Sequence, residues 1–480
     1  MNPVHAVMAE QCTGRGRDGV VCAAAPLAAL AGAQALRDGG NAYDAVVAAA
    51  LAETVLLPPK CGFGGDLIGI VLPAGASVPQ ALVAVGGAPA GLAAVATSGE
   101  WRDVGATSVG PPAAAAGYDA LAARGRLGRA RQAAPAIDLA VGGFPWASVC
   151  TRLAEQAAPL VAEMHPEGTA YYPDGRPFAP GQLVRLPGLA KVLEGWVEHG
   201  GALLAGPVGD AIVAAVRARG GVLDRSDLDL AAAEWLPCAH ADVRGRRVWA
   251  TPAPTHGPSL LDALGRAGAD DSTGYAAILA AIAQRRRELA DPSGTSMVSA
   301  ADREGNVAVV VHSNSFPRFG SGIIVPEYDL VLANRAGRGF APEPGHPNFP
   351  VRGRRPATTL HAWAATDAAG AVRWLGATPG GANQMPWNAQ TLARLLAGEE
   401  SPGALVTAPL WEWLPEDDGV RIEGGFPDDV VDALRAASPR VVTAPRWGCK
   451  SAQQVVRVAA PGEVWVGAAD PRTQGAAVGV

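Results

Sequence analysis

Residues 42–56 (AYDAVVAAALAETVL) read as a helix whose apolar side chains run almost all the way round. Such a helix has no face to give to water and is normally buried on every side. Asn41 stands at the N-cap position. Before it, an alanine-rich helix over 26–38 opens on Pro26 and closes at Gly39-Gly40. The most apolar stretch, 45–57, is too short to span a bilayer and carries Glu53. A loop, PPKCGFGGD (58–66), then leads into an apolar strand at 67–72.

The first 290 residues read mostly as helix, with further helices at 113–123, 207–219 and 275–289. After Gly294 the pattern changes. Two short β-type runs, 297–301 and 307–311, flank Asp302-Arg303-Glu304-Gly305-Asn306, which has the turn chemistry of a hairpin. Strand candidates follow at 330–332, 371–375 and 464–467, and helices at 387–397 and 428–437. Helices mixed with antiparallel hairpins imply a layered α+β sandwich.

Composition excludes several classes. Hydrophobic residues make up 49% and charged residues 18%, ample for a large core. Net charge is −6 without a basic stripe, so nucleic acid is not an expected partner. Six scattered cysteines include no C-x-x-C pair, which points to neither a zinc site nor a disulfide framework. The start, MNPVHAVMAEQ, lacks a basic segment followed by an apolar run, so a cytoplasmic, non-membrane protein is expected. There is no G-x-S-x-G elbow, H-E-x-x-H, Walker loop or G-x-G-x-x-G, and no cofactor or metal is expected.

What remains is Ser293-Gly294-Thr295-Ser296, directly ahead of the hairpin. The segment TSMVSAADREGN (295–306) resembles the start of the small subunit of γ-glutamyltranspeptidases, where a Thr opens the chain and an Asp-x-x-Gly-Asn turn follows. FGSGI (319–323), RPATT (355–359), TPGG (378–381) and ADPR (469–472) are similar to later family segments. GGNAYDA (39–45) and GFGG (62–65) are similar to earlier ones. The likeness covers nearly the whole chain in order. It implies a four-layer αββα sandwich of the N-terminal-nucleophile hydrolase type, cut between Gly294 and Thr295. The segments 1–294 and 295–480 would form one interwoven heterodimer, with any higher homo-oligomer left open.

The chemistry has a physical basis. After the cut, the α-amine of Thr295 lies beside its own Oγ. An α-amino group titrates near 7.7–8.0, so part of it is neutral near pH 7 and can act as base. The resemblance implies that Ser313 bonds the nucleophile's amine and that Gly380 and Gly381 supply oxyanion-hole N–H groups. It also implies that Asn314, Thr358 and Thr359 contact a small-molecule substrate, the threonine pair replacing a serine pair.

Departures from the family concern the substrate. Arg335 and Arg338 stand near the place of acceptors for a glutamyl α-amino group, turning an acceptor pair for a cation into a donor pair for an anion. The family's carboxylate-binding Arg would fall near 85–89, where this chain has none. An anionic acyl group is therefore expected rather than a standard γ-glutamyl group. The segment before Thr295 is shorter than the family's, and the Pro/Gly-rich stretch 341–354 occupies its lid position.

Three functions compete. The first is an amidohydrolase or acyltransferase, resembling the cephalosporin-acylase branch. The second is a homolog that breaks a C–C bond beside a keto group, as in actinobacterial pathways to 4-alkylproline antibiotic precursors. The third is an unprocessed pseudoenzyme acting as a binding protein.

Overall fold

The computed structural model describes residues 3–267, 278, 281, 295–315 and 319–480. The helix Ala42–Leu56 is buried at every residue. Asn41 Oδ1 accepts from the N–H groups of Tyr43 and Asp44, while Asp44 Oδ2 accepts from Asn41 N–H, forming a reciprocal cap. Asp44 also receives Arg126 N, Leu127 N and Gln132 Nε2. The G-G-N-A-Y-D-A segment is thus a polar clasp at the head of an apolar rod.

Two seven-stranded antiparallel sheets pack face to face. The first runs, in order, Ala476–Gly479, Gly19–Ala23, Ser296–Asp302, Val307–Ser313, Asp66–Leu72, Gln80–Ala84 and Ala233–Pro237. The second runs Thr13–Gly16, Trp465–Ala469, Gln454–Arg457, Val372–Ala377, Ala362–Thr366, Arg246–Ala250 and Ala239–Val243. Strands from before and after residue 294 lie in both. Side chains such as Met297, Val309, Val311, Leu360 and Leu375 fill the space between the sheets. Val298, Ala300 and Val310 face the other way, toward the Ala42–Leu56 layer. Gly257–Arg266 and Gln384–Leu396 cover the outer face of the second sheet. The result is helix, sheet, sheet, helix. Among the described residues no single helix is long and apolar enough to cross a membrane.

The predicted helix at 113–123 appears as Ala114–Ala122, that at 207–219 as Pro207–Arg217, and that at 428–437 as Asp428–Ala437. The one expected at 275–289 lies outside the described residues apart from 278 and 281. The amino-terminal half holds more sheet than its alanine content suggests. Gly19–Ala23, Gln80–Ala84, Ala233–Pro237, Ala239–Val243 and Arg246–Ala250 are strands because neighbouring strands pair with them; alanine's own preference does not decide. Arg129–Gly142 and Ser148–Met164 are helices with an internal proline, Pro135 and Pro159. Each proline argues locally against a helix. Burial of Ala133, Ala136, Ala154 and Ala157 in the helical layer outweighs that.

The ADPR segment closes the fold electrostatically. Arg472 has no exposed side chain; it donates to Glu423 at 2.6 and 2.9 Å, to Asp470 at 3.0 Å, and to the carbonyls of Val406 and Ala408. Burial would raise the Glu423 carboxyl, but the bond and charge of Arg472, together with the N–H groups of Cys449 and Leu410, outweigh it and hold Glu423 below the usual range. A depressed carboxylate stabilises above its ordinary value and loses that contribution as pH falls through the lowered one. Arg472→Met should therefore lower unfolding stability by about 3–5 kcal/mol in urea titrations at neutral pH, since it strands two buried carboxylates. The parent's own stability should fall on acidification below about pH 4. A neutral-pH loss under about 1 kcal/mol would show that the cluster is structurally idle.

Candidate active site

The site is built on the hairpin Ser296–Asp302 and Val307–Ser313. Its turn is held by one carboxylate. Asp302 Oδ1 accepts from the N–H groups of Glu304, Gly305 and Asn306, and Oδ2 accepts from Asn306 Nδ2 and Ala42 N. The last bond joins the hairpin to the start of the buried helix. Gly305, at φ +103°, takes the turn position that a side chain would strain.

Strand alternation then decides which residues meet. Met297, Ser299, Val309 and Val311 point between the sheets, so Thr295 and Ser313 share that face. Their hydroxyls lie 3.0 Å apart, and both residues are buried. Below them Ser299 Oγ donates to Gln454 Oε1 of the second sheet, and Gln454 Nε2 donates to Met297 O. Ser315 N–H donates to Ser313 Oγ at 2.9 Å. Ser315 sits at φ +64°, and its buried hydroxyl has no partner among the described residues.

The next strand continues this polar line. Asp66 is the cross-strand partner of Ser313, and Arg335 Nε donates to Asp66 Oδ2 at 2.8 Å. Both side chains are almost wholly buried. Gly64, Gly86, Gly87 and Gly110 line a narrow cleft with Asp66 and Arg335. Gly86 and Gly87, within 85–89, therefore border the same cleft as Arg335. The stretch 341–354 is irregular and bonds to Ala88 through Gly353 N and Arg354 O, beside that wall. Arg338, one turn beyond Arg335, meets the exposed Asp103 carboxylate at 3.3 Å.

Gly380 and Gly381 follow the strand Val372–Ala377 and open a short 3₁₀ turn leading into Gln384–Leu396. Their N–H groups thus stand at a helix N-terminus, where the peptide dipoles favour negative charge. A Cβ at Gly380 would lie 2.2 Å from the Trp387 ring, and φ there is +145°. The Gln384 side chain links the threonine pair to this turn: its amide nitrogen donates to Thr359 O and Thr378 O, and its oxygen accepts from Gly381 N–H, each at 3.2 Å. Burial lowers His361 to about 4, so it is uncharged near neutrality. Asn388 Nδ2 donates to its Nε2, leaving Nδ1–H to donate to Thr359 O. Thr358 Oγ1 accepts from Leu360 N.

The structure thus joins Thr295 to Ser313, Arg335 to the strand beside them, and Thr359 to the glycine turn. Asn314 Nδ2 donates to Pro58 O. Gly294 lies outside the described residues. Asp66 and Ser315 are absent from the sequence-based expectations. The Asp that ends G-F-G-G-D was a signal for the first; the second shows itself only through its backbone angle. Among the described residues, Glu53, Cys61 and His312 have ligand-type atoms within 4.8 Å of one another. They lie on the helix-facing side of the hairpin, and Glu53 and His312 bond each other directly.

Comparison with known proteins fits this architecture. The family model for gamma-glutamyltranspeptidase matches residues 28–267 and 268–480. An acylase ACY 1 proenzyme from Pseudomonas sp. (strain V22) is 29% identical, over 90% of this chain and 88% of its own. An oxamate amidohydrolase proenzyme from Klebsiella pneumoniae is 26% identical, over 96% and 98%. The crystal structure of a cephalosporin acylase from Bacillus halodurans superposes with a TM-score of 0.87 at 26% identity, covering 98% and 97%. The sandwich is that of the N-terminal-nucleophile hydrolases, and the chain belongs to the gamma-glutamyltranspeptidase family of hydrolytic enzymes.

Proposed function

We propose that this protein cuts itself before Thr295 and then uses Thr295 as nucleophile in amide hydrolysis or acyl transfer on a small anionic acyl substrate. The observation that carries this reading is the Thr295–Ser313 hydroxyl contact, 3.0 Å long, at the head of a strand in the middle of the first sheet. In the uncut chain Thr295 Oγ1 attacks the Gly294 carbonyl. The peptide shifts to an ester, and water releases residue 294 and a free α-amine on Thr295.

In turnover that amine takes the Oγ1 proton as the hydroxyl attacks the acyl carbonyl. It returns the proton to the leaving amine. Ser313, itself held by Ser315 N–H, orients the pair. The N–H groups of Gly380 and Gly381 receive the oxyanion, Gly381 by exchanging its bond to the Gln384 side-chain oxygen for one to the substrate; the role is typically worth about 10²–10³ in rate per donor. Water or an acceptor amine then releases the acyl group.

Support for an anionic acyl group comes from the cleft. Arg335 borders this narrow cleft, and residues 85–89 offer no other cation. Asp66 balances its charge, so the pair presents a directed donor rather than a bare positive field. Arg338 is the second donor, while Asn314, Thr358 and Thr359 complete the proposed substrate contacts. Oxamate, in the Klebsiella relative's name, is an amide whose acyl part bears a carboxylate. Cleavage of a C–C bond beside a keto group would use the same Thr295 and the same arginine; mass analysis of products separates the two.

Purified protein should run as two chains, residues 1–294 and 295–480, the smaller having 480 − 294 = 186 residues. Thr295→Ala should run as one. Two bands in that variant would assign the cut to a foreign protease and remove Thr295 from its role.

Glutaryl-p-nitroanilide keeps the distal carboxylate and lacks the α-amino group. It should exceed γ-glutamyl-p-nitroanilide in kcat/KM by at least tenfold. Loss of a charge-assisted bond of about 1.5–3 kcal/mol predicts that Arg335→Gln lowers kcat/KM for the glutaryl compound about 10- to 100-fold. Self-cleavage should survive. Preferred turnover of the γ-glutamyl compound, indifferent to Arg335, would return the protein to glutathione-type substrates.

A further inference from the structure

The reverse face of the hairpin carries a buried polar cluster that the proposed chemistry does not touch. His312 Nε2 lies 2.9 Å from Glu53 Oε2, and Nδ1 lies 2.8 Å from the Tyr118 hydroxyl. Glu53 Oε1 accepts from Ala24 N–H at 2.6 Å. The side chains of His312 and Glu53 have no exposed surface, and Tyr118 is fully buried. Four elements meet here: the helix Ala42–Leu56, the helix Ala114–Ala122, the end of the strand Gly19–Ala23, and the strand Val307–Ser313.

The position of this cluster is telling. His312 is the cross-strand partner of Ser296. Ser296 and His312 are therefore the residues immediately behind Thr295 and Ser313 in the chain. Stability alone gives no reason for a buried glutamate–histidine pair. Apolar side chains of similar volume often serve as well or better, and the surrounding alanine, valine and leucine core would accept them. What the pair adds is direction. Bonds of 2.8–2.9 Å fix the end of the strand against two helices, where apolar contact would tolerate slip.

We propose that His312, clamped between Glu53 and Tyr118, is a positioning residue that sets the Thr295–Ser313 contact from behind. The proposal rests on Thr295 being the nucleophile. Misplacing a reacting group by about 1 Å can lower a rate by about 100-fold. His312 touches no substrate and acts only through the strand it anchors.

The test uses full-length protein carrying Tyr118→Phe, which removes one hydroxyl, and His312→Leu, which keeps the volume apolar. With glutaryl-p-nitroanilide, kcat should fall about 10- to 100-fold while KM stays within twofold. Melting temperature should fall in His312→Leu, which leaves the buried Glu53 without its partner, and stay near the parent's in Tyr118→Phe, so that the kcat of Tyr118→Phe is read free of any loss of stability. His312→Gln, which restores a donor toward Glu53, should recover part of the loss. Crystals of His312→Leu should show the two hydroxyls more than 3.5 Å apart. Parental kcat in folded Tyr118→Phe and His312→Leu would overturn the proposal. So would an unchanged 3.0 Å contact in the crystals. That distance judges the clamp even if Thr295→Ala keeps parental turnover, the result that would instead refute Thr295 as nucleophile.

Discussion

The structure depends on the insertion of one hairpin into the middle of a sheet that is otherwise built largely from the preceding segment. Ser296–Asp302 pairs with Gly19–Ala23 on one side, and Val307–Ser313 pairs with Asp66–Leu72 on the other. With both ladders satisfied, the hairpin cannot slip by one residue. A slip would turn every side chain to the opposite face and send Thr295 into the helical layer. The Asp302 carboxylate, with five N–H donors, fixes the turn and ties it to Ala42. Register, burial and the Thr295–Ser313 contact all follow from that placement.

Much of this was legible in the chain because the signals were local. The helix 42–56 announced itself by an apolar surface without a polar stripe, and its cap by Asn41. The hairpin was readable because D-R-E-G-N has the turn chemistry of a hairpin, with two β-type runs flanking it. Arg129–Gly142 and Ser148–Met164 were not readable, since their prolines contradict helix locally and only packing restores it. The short strands Gln80–Ala84 and Ala239–Val243 owe their state to partners far away in sequence, which no window around them contains.

The site divides in the same way. Thr295, Ser313 and the Gly380-Gly381 turn were singled out by the resemblance of their segments to the family's; a Gly-Thr before a strand or a Gly-Gly turn carries little meaning alone. Arg335 was visible as a cation, but its partner was not. Asp66 lies 269 positions away and meets Arg335 only because Asp66–Leu72 pairs beside the hairpin. The pairing changes the electrostatics. An isolated buried guanidinium would pay a large desolvation penalty, whereas one held by a carboxylate keeps its charge and its orientation. Ser315 escaped notice for another reason: φ +64° is a property of the fold around it rather than of its own side chain.

The hairpin also has two chemically different backs. Toward the second sheet its polar side chains are spaced by strand alternation, Thr295 and Ser313 bonded to each other and Ser299 bonded across the gap to Gln454. Toward the helices it is apolar along Val298, Ala300 and Val310, until His312 breaks the pattern at the strand's end. A purely apolar back would bury the strand but leave its last residues free to move along their axis. The polar break falls one residue before Ser313, where freedom of a few tenths of an ångström is the difference between a hydrogen bond and none. The end of this strand is therefore held from both sides, by directed bonds rather than by packing alone.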